Sequence, residues 1–275
     1  MNAIQIPYDR HFEKKCAIAA QVGFQHISVN FHDMPDTSDS AYDEAPEHIL
    51  GILETHKLKA VQTHLYYYHP FSPADAMEEG LENRILREIE VSGKIGAPWC
   101  VWHPRYCMNG EWELDNFNEE KTLRQNQLTV SRYLEQAARF GTGVALENLF
   151  RKMMPGGLET LLRMHDSFDA ENIGICWDTG HANMMEFDQG DAIRLIGARI
   201  KCTHIHNNFK NGDFHLPPDA GTINWQAVMQ AFKDIGYAGP FTLETHCLYP
   251  EDAQLLRDFA RYNYNCLEFL QRYMD

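Results

Sequence analysis

A chain of 275 residues, 44% hydrophobic and 23% charged, with 12% aromatics, 18 Gly and 12 Pro, has ordinary globular proportions, which excludes disorder, collagen and coiled coils. Its 24 Lys and Arg against 39 Asp and Glu leave a formal net charge of -15, a sign that repels phosphate backbones and anionic membranes. In chain order, short β-branched or aromatic runs alternate with longer amphipathic stretches. Strands are expected around Gln5, then at 26–31 (HISVNF), 59–64 (KAVQTH), 98–103 (PWCVWH), 143–148 (GVALEN), 173–178 (IGICWD), 199–206 (RIKCTHIH) and 240–245 (PFTLET). Between them, Glu78 to Lys94 sets Leu81, Ile85, Leu86 and Ile89 on one helical face. Leu123 to Phe140 does the same with Leu128, Val130, Leu134 and Ala138, and stops at Gly141. Trp225 to Ile235 opens after Asn224, a good N-cap, and stops at Gly236. The final stretch, Asp252 to Met274, carries Leu255, Leu256, Phe259, Tyr262 and Leu267.

Eight such units over residues 1–275, with no linker between them, imply a single-domain (β/α)8 TIM barrel, an α/β fold whose strands are apolar because both faces are buried. A doubly wound open sheet would want a Gly-rich phosphate turn after an early strand, and the chain has none. No apolar run approaches the roughly 20 residues of a membrane helix, and the N-terminus lacks a signal-type core. Seven cysteines form no CxxC pair, and Cys100, Cys176 and Cys202 sit in apolar runs as buried free thiols do. A cytoplasmic protein is the expectation.

Barrel chemistry gathers where strands finish. The third ends in Thr63-His64, the fourth in Trp102-His103, the fifth in Glu147-Asn148, and the sixth in Trp177-Asp178 with His181 just beyond. The seventh ends in His204-Ile205-His206 and the eighth in Glu244-Thr245. Carboxylates converging on one mouth would repel, and burying them unpaired is costly; a divalent cation removes both problems. His, Glu and Asp suit Mn or Zn, with Mg or Co as further candidates. Asp213 and His215 form a D-x-H pair in the loop after the seventh strand, where they are placed either to reach the same mouth or to belong to an ordinary polar loop. Phe31, Tyr66, Tyr67, Tyr68, Trp102 and Trp177 flank strand ends, where they suit either flat walls for a ligand or core packing, and the run LYYYHP (65–70) suits a lid or wall. Arg105 and Arg151 are placed either to meet a phosphate or to pair with a surface carboxylate.

The segments ALEN (145–148), GICWDTGHANM (174–184), HIHNN (204–208), DFHLPPDAGTINW (213–225) and GYAGPFTLET (236–245) together resemble the xylose isomerase-like barrel superfamily. That superfamily comprises sugar (phosphate) isomerases and epimerases and also contains the apurinic endonuclease family; the resemblance covers nearly the full chain. It implies Glu147, Asp178, His204 and Glu244 as ligands of one central divalent metal. His204 is taken over His206 because the family's ligand is followed, after two residues, by Asp or Asn, here Asn207. The resemblance further offers His64 and His103 for one extra metal, and His181, Asp213 and His215 for another, hence one to three ions.

The implied activity is a metal-dependent isomerisation or epimerisation of a ketose or related polyol through a metal-stabilised cis-enediolate. Glu147 and Glu244 would be the acid/base pair and His181 would share the charge. Trp102, Trp177, Tyr66, Arg105 and His206 would bind the substrate, a sugar or sugar phosphate. One alternative is an endonuclease-like phosphodiesterase with several metals, disfavoured by the acidic segment FHDMPDTSDSAYDEAPE (31–47) where a nucleic acid would have to be gripped. A second is a non-catalytic metal- or sugar-binding barrel, disfavoured by the presence of both carboxylates. The aromatic final helix is suited to the barrel or to a neighbour, which leaves an oligomer open.

Overall fold

The computed structural model describes residues 1–67, 80–111, 113–154, 156–247 and 251–274. Eight strands, β1 (Asn2–Pro7), β2 (His26–Asn30), β3 (Lys59–His64), β4 (Trp99–Trp102), β5 (Gly143–Glu147), β6 (Ile173–Asp178), β7 (Ile200–His204) and β8 (Phe241–Leu243), each follow the expected position. From β1 to β7 each strand pairs in parallel with the next, and β8 pairs in parallel with β1. The ring nearly closes at the β7–β8 seam through Ile205, which donates to Thr242 O at 2.7 Å and accepts from Glu244 N at 3.1 Å. The Thr203 hydroxyl adds a bond to Pro240 O at 2.8 Å. The chain is thus a single-domain α/β TIM barrel.

The surrounding helices among the described residues are α1 (Phe12–Val22), α2 (Asp39–His56), α3 (Leu81–Lys94), α4 (Glu119–Phe140), α5 (Gly157–Asp166), α6 (Thr179–Asn183), α7 (Gln189–Ile196), α8 (Trp225–Asp234) and α9 (Ala253–Gln271). Gly141 ends α4 in the left-handed region at φ 72°, and the Asn224 side chain caps α8 by accepting from Ala227 N. Four expected core residues are exposed instead: Leu128 at 62%, Ala138, Leu255 at 50% and Tyr262 at 48%. In α4 the buried stripe is Val130, Tyr133, Leu134 and Ala137, and Leu128 stands about 200° around the helix from Val130. In α9 the buried stripe is Ala260, Asn263, Leu267 and Leu270. Glu78 and Glu79 of the helix expected from Glu78 to Lys94 lie outside the described residues. The acidic segment after β2 is only half loop, because Ser38 caps α2 by accepting from Ala41 N and the charges from Asp39 onward ride on its first turns.

Strand alternation divides the core in two. Val101, Ala145, Cys176 and Cys202 point inward and fill the barrel with small side chains. Trp102, Leu146 and Trp177 point outward and pack beneath the helices, Trp102 edge-on to Tyr133 at 5.4 Å and Trp177 near Phe187 at 6.2 Å. Both tryptophans are fully buried, so neither forms a sugar wall, contrary to the sequence reading. The same alternation carries Glu147, Asp178 and His204, two residues beyond the small inward ones, to the mouth. Cys100, Cys176 and Cys202 are buried free thiols. Among the described residues, no helix is long and apolar enough to cross a membrane.

Candidate active site

At the C-terminal mouth, His204 Nδ1 stands 3.3 Å from Glu147 Oε1, 3.2 Å from Glu244 Oε2 and 3.8 Å from Asp178 Oδ2. One donor atom from each of these four buried residues lies within 4.8 Å of all the others. Their positions follow from the strands: Glu147, Asp178 and His204 are the last residues of β5, β6 and β7, and Glu244 directly follows β8. Asp178 is fixed twice more, its N–H donating to Asn148 Oδ1 at 2.7 Å and its Oδ1 accepting from His181 N at 2.6 Å as the cap of α6.

Glu147 is the hub of a wider cluster. Its Oε2 lies 3.3 Å from His64 Nε2 and 3.0 Å from His103 Nε2, and its Oε1 lies 3.3 Å from His181 Nδ1. On the other side, Asp213 Oδ2 sits 3.0 Å from His181 Nε2 and 3.3 Å from His215 Nε2. The structure therefore brings together all nine residues that the sequence placed in the metal shell. It also adds the Cys176 thiol, within 4.8 Å of donor atoms of Glu147 and His204, which the sequence reading left in the core.

The electrostatics describe a compact set of charges locked to one another. Burial alone would push the Glu147 carboxyl up, but the imidazoles of His204 and His103 outweigh it and hold it well below the carboxylate range. Against the same burial, His204 and His215 lower Glu244 to about 2, and His181 with His215 lowers Asp213. In return the carboxylates lift His204 to about 10 and His215 to about 9, despite their burial. His181 rises well above its usual value because Asp178 and Asp213 overcome its burial, whereas burial wins at His103 and pushes it down.

The residues fit a divalent cation. Glu147 Oε2, Glu244 Oε2 and both ring nitrogens of His204 are buried without a hydrogen bond, although buried polar atoms nearly always have one. An oxygen-rich shell with imidazole nitrogen is the donor set of Mn or Zn.

Several substrate-binding expectations are corrected. His206 is fully buried behind the mouth, its Nε2 3.0 Å from Asp178 Oδ2 and its ring stacked on His215 at 4.1 Å, so it positions Asp178. Tyr66 does not line the cavity at Glu244: its N–H donates to Glu88 Oε2 at 2.6 Å, and its ring lies under the Arg84 guanidinium at 3.6 Å and stacks on His32 at 5.1 Å. The neighbouring Tyr67 faces the mouth instead, stacked on His103 at 4.5 Å and edge-on to His64 at 5.6 Å. Its hydroxyl is pushed up to about 12 by burial and by the charges of Glu244 and Glu147. Arg105 is buried with its backbone clasped by Asn126, away from the cavity that opens at Glu244. Arg151 pairs with Glu186 on the surface at 2.6 Å. Tyr68 and the rest of LYYYHP lie outside the described residues.

Three participants escaped the sequence reading. Gln5 donates to Glu244 Oε1 at 2.6 Å, and His32 and His246 line the cavity of about 440 Å³ beside it. Gln5 sits at an inward position of β1, so strand parity was its one available signal. A glycine in the WDTGHA run has a defined purpose too: a Cβ on Gly180 would come within 1.9 Å of the His206 ring. Gly180→Ala is expected to displace His206, unseat Asp178 and weaken divalent-ion affinity by roughly 10–100-fold, the usual scale for groups that support a ligand. Competition with a chromogenic chelator reads this directly; unchanged affinity would remove His206 from the support of the site.

Comparison with known proteins bears on the fold and the family. Two uncharacterized proteins match, one of Sinorhizobium fredii at 27% identity over 67% of this chain and 56% of its own length. The other, of Methanocaldococcus jannaschii, is 30% identical over 78% of this chain and 75% of its own length. A D-psicose 3-epimerase of Enterocloster bolteae is 25% identical over 58% of this chain, which spans about half, 49%, of that enzyme. Among solved structures, a D-tagatose 3-epimerase-like protein superposes over 100% of both chains with a TM-score of 0.73 at 22% identity, which shows the same fold. The family model described as the xylose isomerase-like TIM barrel matches residues 16–262, nearly the whole chain, and the protein belongs to that family.

Proposed function

We propose that the protein is a divalent-metal-dependent isomerase or epimerase of a keto sugar. The observation that carries this reading is the buried quartet Glu147, Asp178, His204 and Glu244, with donor atoms within 4.8 Å of one another and Glu244 lining an adjoining cavity. These four residues would hold the ion, which when bound polarises a carbonyl and acidifies the adjacent C–H. Glu147 and Glu244 are both kept ionised by their imidazole neighbours and stand ready to accept that proton. One carboxylate takes the proton; the other, once protonated from water at the mouth, returns that proton to the opposite face and inverts the carbon, and the first then releases its proton to solvent. Return to the neighbouring carbon, with the hydroxyl proton passing to the former carbonyl oxygen, isomerises. Gln5 orients Glu244, and His181, which keeps its proton under the influence of Asp178 and Asp213, steadies the negative charge that develops on the substrate oxygens.

The test is a panel of ketoses with Mn-loaded protein in deuterated water. The expected result is interconversion of one epimeric or isomeric pair with deuterium at the reacting carbon. The two flanking donor groups, His64–His103–Glu147 and His206–Asp213–His215, favour one second reading: a three-ion phosphodiesterase that activates water. Elemental analysis separates the two. A single tightly held ion with ketose turnover supports the first, and three ions with nicking of abasic DNA supports the second.

A further inference from the structure

The cavity beside Glu244 continues beyond the mouth. Gln5 faces inward on β1, and the alternate residues Ile4 and Ile6, which also line the cavity, face outward toward the helices. There the cavity is walled by Ile18 and Ala19 of α1 and by Leu256, Phe259 and Ala260 of α9. It therefore has two unlike halves: a polar end at Glu244, Tyr67 and His246, and an apolar slot between two helices. Its volume of about 440 Å³ falls within the roughly 300–1,000 Å³ of sites that enclose drug-sized ligands. Among the described residues lining it, Lys15 is the one Lys or Arg, and its ammonium is bound to Asp9 at 2.6 Å, while Asp33 adds a further negative charge. A phosphate would find little attraction in such a lining.

We propose that the slot receives an uncharged, apolar substituent carried by the keto sugar on a carbon remote from its carbonyl. The inference rests on the keto-sugar reading and deepens it: the substrate class is a substituted keto sugar, an ether or glycoside. With the carbonyl end at the carboxylate cluster, an unsubstituted hexose meets only the polar half, whereas a substituent reaches Leu256, Phe259 and Ala260. Each methylene taken from water into the slot tightens binding by roughly fourfold.

The experiment measures dissociation constants by calorimetry for metal-loaded protein with three probes: a ketohexose, its 6-O-butyl ether and its 6-phosphate. The expected result is binding of the ether at least about tenfold tighter than the free sugar, with no gain for the phosphate. Ala260→Trp, which fills the slot, is expected to bring the ether back to the affinity of the free sugar. If that variant does not fold, the comparison on the unaltered protein decides alone. Equal affinities for ether and free sugar, or a preference for the phosphate, would overturn the inference while leaving the keto-sugar reading standing. Failure of all three probes to bind would overturn that reading, and this inference with it.

Discussion

Glu147→Gln is expected to lower turnover at saturating metal by roughly 10²–10⁴-fold, the range for loss of a positioned acid/base group. The replacement keeps the shape of the side chain, so the barrel should remain folded by circular dichroism. Its effect is concentrated because Glu147 faces four imidazoles, those of His64, His103, His181 and His204, each within 3.3 Å. An amide there cannot accept the substrate proton, and it no longer balances the charges of His181 and His204. Metal content measured on the same sample separates loss of chemistry from loss of the ion. Full activity in a metal-replete variant would take Glu147 out of the mechanism.

Stripping the metal with a chelator is expected to lower the midpoint of thermal unfolding by roughly 8–16 °C. This follows from about 4.1 kcal/mol of linkage at a thousandfold excess over the dissociation constant, and about 2–4 °C per kcal/mol for a chain of this size. The gap should depend on pH in a defined direction. In the stripped protein His204 and His215 titrate at about 10 and about 9, above the roughly 6.5 of an unfolded chain. Folded-state values that are raised stabilise fully below about 6.5 and lose that contribution as pH climbs through 9 and 10. Imidazolium protons thus stand in for the cation at low pH, and metal binding must displace them. Scanning calorimetry of loaded and stripped protein at pH 6 and pH 9 should show the difference widening with pH. A constant difference would mean that protons and metal do not compete for these residues.

Much of this site was legible because it is written at strand ends. KAVQTH, GVALEN and IGICWD each carry an apolar run that must be buried, closed by a residue type that ligates, and the barrel topology requires those ends to converge. The loops were harder to read. Tyr66 and Tyr67 follow β3, where period-two alternation no longer applies, and only the Glu88 and Arg84 contacts from α3 decide that Tyr66 turns away and Tyr67 turns in. His204 and His206 share strand parity, so their separate roles depend on where β6 places Asp178.

Residue types, their spacing and the run of eight strand–helix units were sufficient, by themselves, to specify the barrel, its family and the chemical character of its mouth. Three-dimensional packing alone decided which side chains touch: that Trp102 and Trp177 pack under helices, that Gln5 reaches across to Glu244, and that a slot opens between α1 and α9. The physical reason is that local pattern reports the face of an element on which a residue lies. Contact between segments more than 200 residues apart, as for Gln5 and Glu244, exists only once the ring has brought β1 beside β8.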